Sequence, residues 1–293
     1  MKRKTEYMNF KNYIKDKKAI IEAKLDDILL PEEEDPPVIH KAMRYSVFSG
    51  GKRLRPILTL ATAEMFGMEN KKVLYTACSL ELIHTFSLIH DDLPCIDNDD
   101  FRRGKPSCHK VYGEDIALLA GDALLVHAYR TVLKNLEHKD VKKSTIIALF
   151  DELTRCVDTR NMLGGQVKDV IHEEPSDKIN YLCKLYRQKT AALICAAIRA
   201  GAIMAEAKKR EINALTKYGE CIGLAFQITD DILDLLQDQR NEEKMTYPGI
   251  VGLKKAKEDT AKLIQDAKDA LKMFDERADF LYHLADYIFS RQK

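Results

Sequence analysis

Apolar side chains recur at helical spacing along almost the entire chain, and the alternating pattern typical of strands is scarcely present. The pattern predicts ten helices joined by short breaks that carry proline, glycine or clustered charges. Their expected bounds are 8–29, 36–48, 53–66, 71–92, 114–136, 142–163, 176–205, 209–236, 251–274 and 276–290. Glycine (13) and proline (8) are scarce, which favours helix. We therefore predict an all-α fold in one domain that spans residues 1–293.

The balance of charge excludes several classes of function. Charged residues make up 32% of the chain, but the formal net charge is only +1. A general nucleic-acid-binding surface would require a marked basic excess, so a nucleic-acid partner is not expected and any electrostatic function must be local. The most apolar segment, 191–205, is interrupted by Arg199, and no run reaches about 18 uninterrupted apolar residues. No membrane-spanning segment is therefore expected.

Seven cysteines are spread along the chain, and no two of them have the Cys-x-x-Cys spacing. An odd count without that spacing argues against a disulfide framework or a zinc site, and free thiols are typical of the reducing cytosol. The basic N-terminal segment also lacks the apolar core of a secretion signal. We therefore expect a cytoplasmic protein.

Five aspartates lie within ten residues at the predicted end of the helix 71–92. They are Asp91, Asp92, Asp97, Asp99 and Asp100. So many like charges repel one another, and carboxylates at the C-terminus of a helix also oppose its dipole. Divalent cations relieve such repulsion, and Mg²⁺ commonly links one or two carboxylates to substrate phosphates. The alternative is a solvated acidic loop, which is what most arbitrary acidic runs form.

A second acidic group, made of Asp230, Asp231 and Asp234, lies in the helix predicted over 209–236. Asp230 and Asp234 are four residues apart and therefore share one helix face. Their neighbours are apolar, so the helix is expected to be half-buried with its acids at an inner surface. Taken alone, this pattern is a weak signal for a metal, because an acidic patch near a helix end has the same spacing.

Basic residues accompany both acidic groups. Lys52, Arg53 and Arg55 follow a glycine pair at a predicted helix start, where backbone N–H groups and basic side chains favour anions. Arg102 and Arg103 directly follow the first acidic group. Taken alone, each of these could equally be a solvated, charged helix end.

Two further polar positions lie within predicted helices. His84 is seven residues before Asp91 and therefore on the same helix face, although a lone histidine on a helix is more often structural. Lys189 and Thr190 adjoin an apolar run, where a lysine usually lies along the surface with its charge in solvent. Together, the acids, the basic residues and the apolar helices predict a site for a substrate with a diphosphate head and a hydrocarbon tail.

The motifs that carry these residues resemble those of the trans-prenyl diphosphate synthases. They are GGKRLRP at 50–56, HTFSLIHDDLPCIDNDDFRRGKPSCH at 84–109, AGDAL at 120–124, GGQ at 164–166, KTAAL at 189–193 and FQITDDILD at 226–234. The resemblance covers roughly residues 40–250 and is greatest to the bacterial-type farnesyl and geranylgeranyl diphosphate synthases. It implies an isoprenoid-synthase-type bundle of antiparallel helices around a central cavity, usually in a homodimer.

The resemblance also implies a role for each matched residue. The ligands for three Mg²⁺ ions in each active site would be Asp91, Asp92, Asp97, Asp230, Asp231 and Asp234. The residues that would bind the diphosphate of isopentenyl diphosphate are Lys52, Arg55, His84 and Arg103. The residues that would bind the allylic diphosphate are Arg102, Lys189 and Lys244. Lys189, Thr190 and Gln227 would act in catalysis by lining the developing carbocation with oxygen dipoles.

The implied reaction joins isopentenyl diphosphate to an allylic diphosphate by ionisation, condensation and elimination. Cations stabilise the leaving diphosphate, and one strong contact of this kind is typically worth about 3 kcal/mol of the barrier. Water must be excluded, because it would quench the carbocation. In the family the departing diphosphate accepts the proton, so no dedicated base is expected.

The resemblance implies that side chains before the first acidic group limit the length of the product. Phe86 lies five residues before Asp91, or about 7.5 Å along a helix, and an aromatic residue there resembles the farnesyl-type bacterial enzymes. We therefore expect farnesyl diphosphate, with geranylgeranyl diphosphate as the alternative. Phe86 could also simply pack in the core, in which case other residues would set the length.

One departure from the family lies after the second acidic group. Only QDQRNEE separates Leu236 from Lys244, and the Gly-Lys pair that relatives carry in this loop is missing. The loss could weaken allylic diphosphate binding, or Lys244 could substitute. A non-catalytic partner subunit is therefore a rival interpretation, although both acidic groups are intact. A terpene cyclase is disfavoured, because cyclases lack the separate isopentenyl site predicted at Lys52, Arg55 and His84.

Overall fold

The computed structural model describes residues 2–171, 173, 175–236 and 245–290, and within these ranges the chain is almost entirely helical. The α-helices are α1 Lys2–Ile28, α2 Pro37–Val47, α3 Leu54–Glu64, α4 Leu74–Asp91, α5 Cys108–Tyr112, α6 Glu114–Leu133, α7 Lys143–Val157, α8 Met162–Ile171, α9 Lys178–Tyr186, α10 Ala192–Met204, α11 Lys209–Leu236, α12 Tyr247–Val251, α13 Leu253–Leu271 and α14 Asp279–Ser290. Short 3₁₀ turns occur at Asn70–Lys72, Lys134–Glu137 and Lys272–Ala278. The prediction of an all-α fold is confirmed.

Helix α10 lies at the centre of the bundle, where it packs against α3, α7 and α11. Small side chains along α10 let α3 come close, and Thr59 of α3 donates a 2.9 Å hydrogen bond to the carbonyl oxygen of Ala197. The charge within this apolar segment is neutralised, because Arg199 Nε lies 2.8 Å from Glu152 Oε1 of α7. A buried guanidinium needs such a partner, which explains how the most apolar segment of the chain accommodates an arginine.

Helices α4 and α11 carry the two acidic groups. Helix α4 packs on α3 and α6 and ends at Asp91, and α11 packs on α10 and α13. The inner faces of both helices are buried: Leu80 and Leu82 of α4 and Ile228 and Ile232 of α11 are fully enclosed. Because both helices are anchored along their lengths by apolar packing, they hold their carboxylates on a rigid frame.

The structure differs from the predicted helices in several places, and the short helices α5 and α12 were not predicted. The helix predicted over 142–163 ends at Val157, where the side chain of Asn161 donates a 2.9 Å hydrogen bond to the carbonyl oxygen of Arg155. Helix α8 was not predicted, because a glycine pair at 164–165 lowers helix propensity. The helix predicted over 176–205 is interrupted by a π-helical segment, Arg187–Ala191, which separates α9 from α10.

A two-residue hairpin lies in the segment after the first acidic group, which was predicted as loop. Its strands are β1 Phe101–Arg102 and β2 Lys105–Pro106, paired antiparallel. Arg103 and Gly104 form the turn with φ values of 56° and 78°. Two positive φ angles are typical of the tight turns whose twist matches that of the paired strands. The hairpin therefore fixes the direction in which the Arg103 side chain leaves the loop.

Helix α6 presents apolar side chains on two faces. One face packs on α2 and α4, whereas Leu119 and Val126 on the other are 51% and 61% exposed. Glu114–Glu137, which contains an 18-residue window with a mean hydropathy of 1.4, is the one stretch of the described chain long and apolar enough, by length and composition alone, to cross a membrane. Core helices meet the same criteria, and α6 contributes to the bundle core through its inner face.

Candidate active site

The first acidic group is folded back on itself at the end of α4. The backbone N–H of Asp97 donates a 2.9 Å hydrogen bond to the carbonyl oxygen of Asp91, which closes the loop between the two aspartates. Burial raises the pKa of Asp91 to about 6; Lys189 acts in the opposite direction, and the neighbouring charge of Asp97 raises the pKa further. Two carboxylates that crowd each other in a partly buried site are the setting in which a divalent cation is favoured.

Asp92 lies behind this pair and is bound by Arg102. Its side chain is almost fully enclosed, the residue being 3% exposed, and Arg102 Nε donates a 2.8 Å hydrogen bond to its Oδ1. Arg102 also contacts Asp99, with Nη2 2.7 Å from Asp99 Oδ2. A buried carboxylate requires a partner of this kind. The family resemblance predicted that Asp92 binds Mg²⁺ and Arg102 the allylic diphosphate, but in this structure the two side chains bind each other.

The hairpin turn brings Arg103 to the glycine pair before α3. Arg103 Nη1 donates a hydrogen bond to the carbonyl oxygen of Gly50. The guanidinium lies over Gly51, where a Cβ atom would come within 2.6 Å of it, and Gly51 has a φ of 115°. Any side chain at this position would both strain the backbone and displace Arg103. The glycine pair is therefore what allows the two basic motifs to meet.

Arg53 has a structural role in the same loop. It adopts a φ of 51°, and its buried side chain donates hydrogen bonds of 2.8 Å to Glu81 Oε1 and 2.7 Å to the carbonyl oxygen of Val47. Glu81 lies on α4, one turn before His84. This buried ion pair ties the start of α3 to α4 and so fixes the residues on either side of Arg53.

Arg55, His84 and Arg103 form a basic cluster beside this ion pair. Burial lowers the pKa of Arg55 to about 10, Glu81 opposes that shift, and the charge of Arg103 adds to it. The Arg55 Nε atom is buried and has no hydrogen-bond partner among the described residues. Burial, followed by the charges of Arg55 and Arg103, lowers the pKa of His84 well below its usual range. Such a cluster favours an anion, and Lys52 lies exposed in the adjoining loop.

The π-helical segment carries Lys189 and Thr190 into the site. Lys189 Nζ lies 2.6 Å from Asp169 Oδ2 of α8. Burial opposes the charge of Lys189, but the carboxylates of Asp91 and Asp169 outweigh it and raise the pKa. Helix α8 approaches closely because Gly165 faces the segment, and a Cβ atom there would lie 2.4 Å from the backbone nitrogen of Lys189. Lys189 thus lies between Asp169 and the first acidic group.

The second acidic group meets the same π-helical segment from α11. Thr190 Oγ1 donates a 2.8 Å hydrogen bond to Gln227 Oε1, and Gln227 Nε2 lies 3.5 Å from Asp231 Oδ1. Asp231, only 7% exposed, accepts hydrogen bonds from the Tyr186 hydroxyl and from the backbone N–H of Tyr247, the latter at 2.8 Å. Burial raises the pKa of Asp231 to about 6, although the three hydrogen bonds oppose that shift.

Asp230 and Asp234 lie on α11 with Asp230 half-buried and Asp234 exposed. In the part of the chain that the structure describes, no three carboxylate, imidazole or thiol groups converge on one point. A Mg²⁺ ion at either acidic group would therefore take one or two carboxylates from the chain and further oxygens from substrate or water, which is its usual coordination. The oxygen donors present fit that ion.

Several residues of the site were missed in the sequence analysis. Asp169, Tyr186 and Tyr247 each contact a predicted site residue from another element, and Glu81 binds Arg53 beside the basic cluster. A signal existed only for Asp169, which follows Gln166 of the GGQ motif by three residues and so shares its helix face. Lys244, predicted to bind the allylic diphosphate, lies outside the described residues, as does the short segment 237–243.

Phe86 lies on the side of α4 that faces α6. Its side chain is 3% exposed, and its ring meets the ring of His90 edge-on, with centroids 5.0 Å apart. His90 Nε2 lies 3.1 Å from the carbonyl oxygen of Leu118 on α6. Phe86 is therefore buried at the α4–α6 contact, and its role in chain length stays a prediction.

Comparison with known proteins agrees with this arrangement. Residues 36–280 match the family model for polyprenyl synthetase. The chain is 42% identical over 295 residues to geranylgeranyl pyrophosphate synthase, chloroplastic, of Capsicum annuum, covering 97% of this chain and 79% of that protein. It is 39% identical over 294 residues to geranylgeranyl diphosphate synthase of Cyanophora paradoxa, covering 97% of each.

Solved structures show the same fold. The crystal structure of an FPP/GFPP synthase from Zymomonas mobilis superposes with a TM-score of 0.89 at 36% identity, covering 96% of this chain and 99% of that one. The crystal structure of a geranyltransferase from Legionella pneumophila gives 0.86 at 32% identity, covering 100% and 99%. The predicted isoprenoid-synthase-type fold is thus confirmed, and the chain belongs to the polyprenyl synthetase family as a trans-prenyl diphosphate synthase.

Proposed function

We propose that this enzyme condenses isopentenyl diphosphate with an allylic diphosphate and releases geranylgeranyl diphosphate. The observation that carries the proposal is that one π-helical segment adjoins both acidic groups. Lys189 lies between Asp169 and Asp91, and Thr190 bonds to Gln227 beside the second group. A substrate diphosphate bound between the acidic groups would therefore place its adjacent carbon against the oxygen atoms of this segment.

Isopentenyl diphosphate would bind at the basic cluster. The buried Nε of Arg55 has no hydrogen-bond partner in the part of the chain that the structure describes, and Arg103 lies over the glycine pair. Both side chains can donate to diphosphate oxygens. His84 is neutral at pH 7, since its pKa is lowered by burial and by the arginines, so it would donate one N–H without adding charge. Lys52 would contribute from the loop. A fixed diphosphate holds the double bond close to the reacting carbon.

The allylic diphosphate would lie between the acidic groups. When bound, Mg²⁺ would neutralise the negative charge of the leaving diphosphate, held by carboxylates chosen from Asp91, Asp97, Asp230 and Asp234; three ions is the number that the family resemblance implies. Lys189 would donate to the same diphosphate, and its raised pKa keeps it charged. Lys244 is proposed as a further donor.

The hydrocarbon end of the allylic substrate would face oxygen dipoles. Thr190 Oγ1 donates a hydrogen bond to Gln227 Oε1, and each of the two oxygens keeps a further lone pair that can face positive charge. Preorganised dipoles stabilise positive charge without reorganising during the reaction. These residues therefore stabilise the allylic carbocation until the double bond of isopentenyl diphosphate reaches it.

The names of the relatives favour the twenty-carbon product over the fifteen-carbon product expected from the sequence. Those from Capsicum annuum and Cyanophora paradoxa are named geranylgeranyl synthases. Farnesyl diphosphate is the second candidate, because Phe86 is a buried aromatic residue one turn and a half before Asp91.

We further propose that the chain acts as one domain and as a homodimer in the cytoplasm. The exposed apolar face of α6, with Leu119 and Val126 at its centre, supports the dimer, because exposed apolar patches mark interaction surfaces. Light scattering on the purified protein tests it: Val126→Lys should shift a dimer to monomer, whereas Lys11→Glu on α1 should not.

The function is tested by incubating purified protein with Mg²⁺, isopentenyl diphosphate and, in turn, dimethylallyl, geranyl and farnesyl diphosphate, followed by chromatography of the products. Geranylgeranyl diphosphate should accumulate with each starter, and Asp91→Ala should abolish it. Asp16→Ala, which removes an exposed acid from α1, is the matched control and should leave turnover unchanged. Farnesyl diphosphate as the final product would support the second candidate, and no product from any starter would favour the partner-subunit interpretation.

A further inference from the structure

Asp231 is held differently from its neighbours in the second acidic group. Asp230 and Asp234 are one helical turn apart on α11, whereas Asp231 is rotated by about 100° from Asp230 because consecutive residues differ by that angle. Its carboxylate is buried and accepts hydrogen bonds from the Tyr186 hydroxyl and the Tyr247 N–H. Both of those donors belong to other elements, which indicates a role in joining elements.

We propose that Asp231 is a positioning residue, not a Mg²⁺ ligand, and that it acts through Tyr186, Tyr247 and Gln227 to fix the carbocation-lining oxygens. This inference rests on the proposed function, since it assigns a task to residues of the same site. It departs from the role that the family resemblance implied for Asp231.

The contact to Tyr186 fixes the π-helical segment. Tyr186 is the last residue of α9, and Arg187–Ala191 follows it directly. A π-helical turn is a local bulge in an otherwise α-helical chain, and contacts at its ends help to fix its position. The hydrogen bond from the Tyr186 hydroxyl to Asp231 fixes the start of the π-helical segment against α11. Lys189 and Thr190 follow within four residues.

The contact to Gln227 fixes the direction of its amide. A carboxylate only accepts hydrogen bonds, so Asp231 selects the orientation in which Gln227 Nε2 faces it at 3.5 Å. The amide oxygen then faces Thr190, from which it accepts the 2.8 Å bond. An asparagine at 231 could present either its oxygen or its NH₂ group to Gln227, and the preference for one orientation would be lost.

The contact to Tyr247 fixes the start of α12. The Tyr247 N–H donates to Asp231 Oδ2, and the Tyr247 hydroxyl lies 3.0 Å from Asp259 Oδ2 of α13. In the sequence, Lys244 precedes Tyr247 by three residues. Asp231 therefore anchors the chain at the point where it returns from the segment that carries this proposed allylic-diphosphate ligand.

Four variants separate positioning from metal binding: Asp231→Asn, Tyr186→Phe, the double variant, and Asp230→Asn. If Asp231 is a positioning residue, Asp231→Asn and Tyr186→Phe should each lower kcat by tenfold or more. The KM for isopentenyl diphosphate and the Mg²⁺ concentration that gives half-maximal rate should each change less than twofold. The double variant should lose less than the product of the single losses, because both changes break one connection. Asp230→Asn should raise the Mg²⁺ requirement at least tenfold.

A second measurement does not depend on turnover. Mn²⁺ is titrated into each variant in the presence of inorganic diphosphate, and bound metal is followed by electron paramagnetic resonance. Asp231→Asn should bind Mn²⁺ within twofold of the wild type, whereas Asp230→Asn should bind at least tenfold more weakly. If the wild type fails to turn over substrate, the proposed function fails, but this titration still tests the role of Asp231.

Tyr218→Phe is the matched control for the loss of a buried tyrosine hydroxyl. Tyr218 lies on α11, as Asp231 does, is fully buried and donates a 2.7 Å hydrogen bond to the carbonyl oxygen of Leu281. It should lower the melting temperature and leave kcat unchanged. The proposal is overturned if Asp231→Asn weakens Mn²⁺ binding as much as Asp230→Asn, or if Tyr186→Phe affects kcat no more than Tyr218→Phe does.

Discussion

Lys189 Nζ lies 2.6 Å from Asp169 Oδ2, and this ion pair joins α8 to the π-helical segment at the point where that segment faces the first acidic group. Both side chains are less than one-quarter exposed, so neither charge is well solvated without the other. The pair therefore sets the position of the lysine that we propose to bind the allylic diphosphate.

Replacing Asp169 with Asn should weaken catalysis through Lys189. Loss of a hydrogen bond to a charged group is typically worth about 1.5–3 kcal/mol, which corresponds to roughly a 10- to 100-fold fall in kcat/KM for the allylic diphosphate. The KM for isopentenyl diphosphate should not change. Steady-state kinetics with each substrate varied in turn measures both. Asp27→Asn, which breaks an exposed Lys–Asp pair of 2.8 Å on α1, is the control and should have no effect.

Gly165→Ala should separate α8 from the π-helical segment. The added Cβ would lie 2.4 Å from the backbone nitrogen of Lys189, and backbone cannot yield as a flexible side chain does. A displacement of about 1 Å at a catalytic group can reduce the rate roughly 100-fold. Gly164→Ala is the matched neighbour, because its Cβ would meet the carbonyl oxygen of Thr159 instead. Both variants should melt at lower temperature, but equal losses of kcat would contradict this explanation.

The sequence was sufficient to predict the fold because helical periodicity is a local property that each segment carries by itself. The residues predicted to bind isopentenyl diphosphate could also be identified from the sequence, because Lys52, Arg55, His84 and Arg103 belong to recognisable motifs. The π-helical segment was not, because its sequence from Arg187 to Ala191 has ordinary helical character. Its shape depends on Tyr186 and on the approach of α8, which are tertiary effects.

The same reason explains why three partners of the site residues were not predicted. Asp169, Glu81 and the backbone of Tyr247 contact the site from elements that are distant in sequence, and no spacing rule connects them to their partners. Asp92 and Asp231 were assigned to Mg²⁺ together with their neighbouring aspartates because the family resemblance implied it. Burial distinguishes these two from the more exposed acids, and burial depends on the packed structure.

Phe86→Ala should lengthen the product by at least one five-carbon unit. The truncation opens space between α4 and α6, beside the ring of His90, into which a growing chain can extend. Chromatography of the extracted products gives the chain-length distribution. Phe274→Ala is the control: Phe274 is also fully buried and meets Phe66 edge-on at 6.1 Å, away from the site. Each change should destabilise the protein by about 3–5 kcal/mol, and an unchanged product from Phe86→Ala would remove this residue from length control.

His84 should make the protein less stable in mild acid. Burial and the charges of Arg55 and Arg103 lower its folded-state pKa well below 6.5, the value of an unperturbed histidine. Below pH 6.5 the unfolded chain therefore binds a proton at this residue that the folded chain does not, so the free energy of unfolding falls as the pH falls. The slope has a limit of about 1.4 kcal/mol per pH unit for one group.

Melting temperatures between pH 5 and 8 should thus decline less steeply in His84→Gln than in the wild type. Some slope should persist in the variant, because burial also lowers the pKa of His127. Parallel curves for the two proteins would show that His84 binds a proton as readily in the folded state as in the unfolded state.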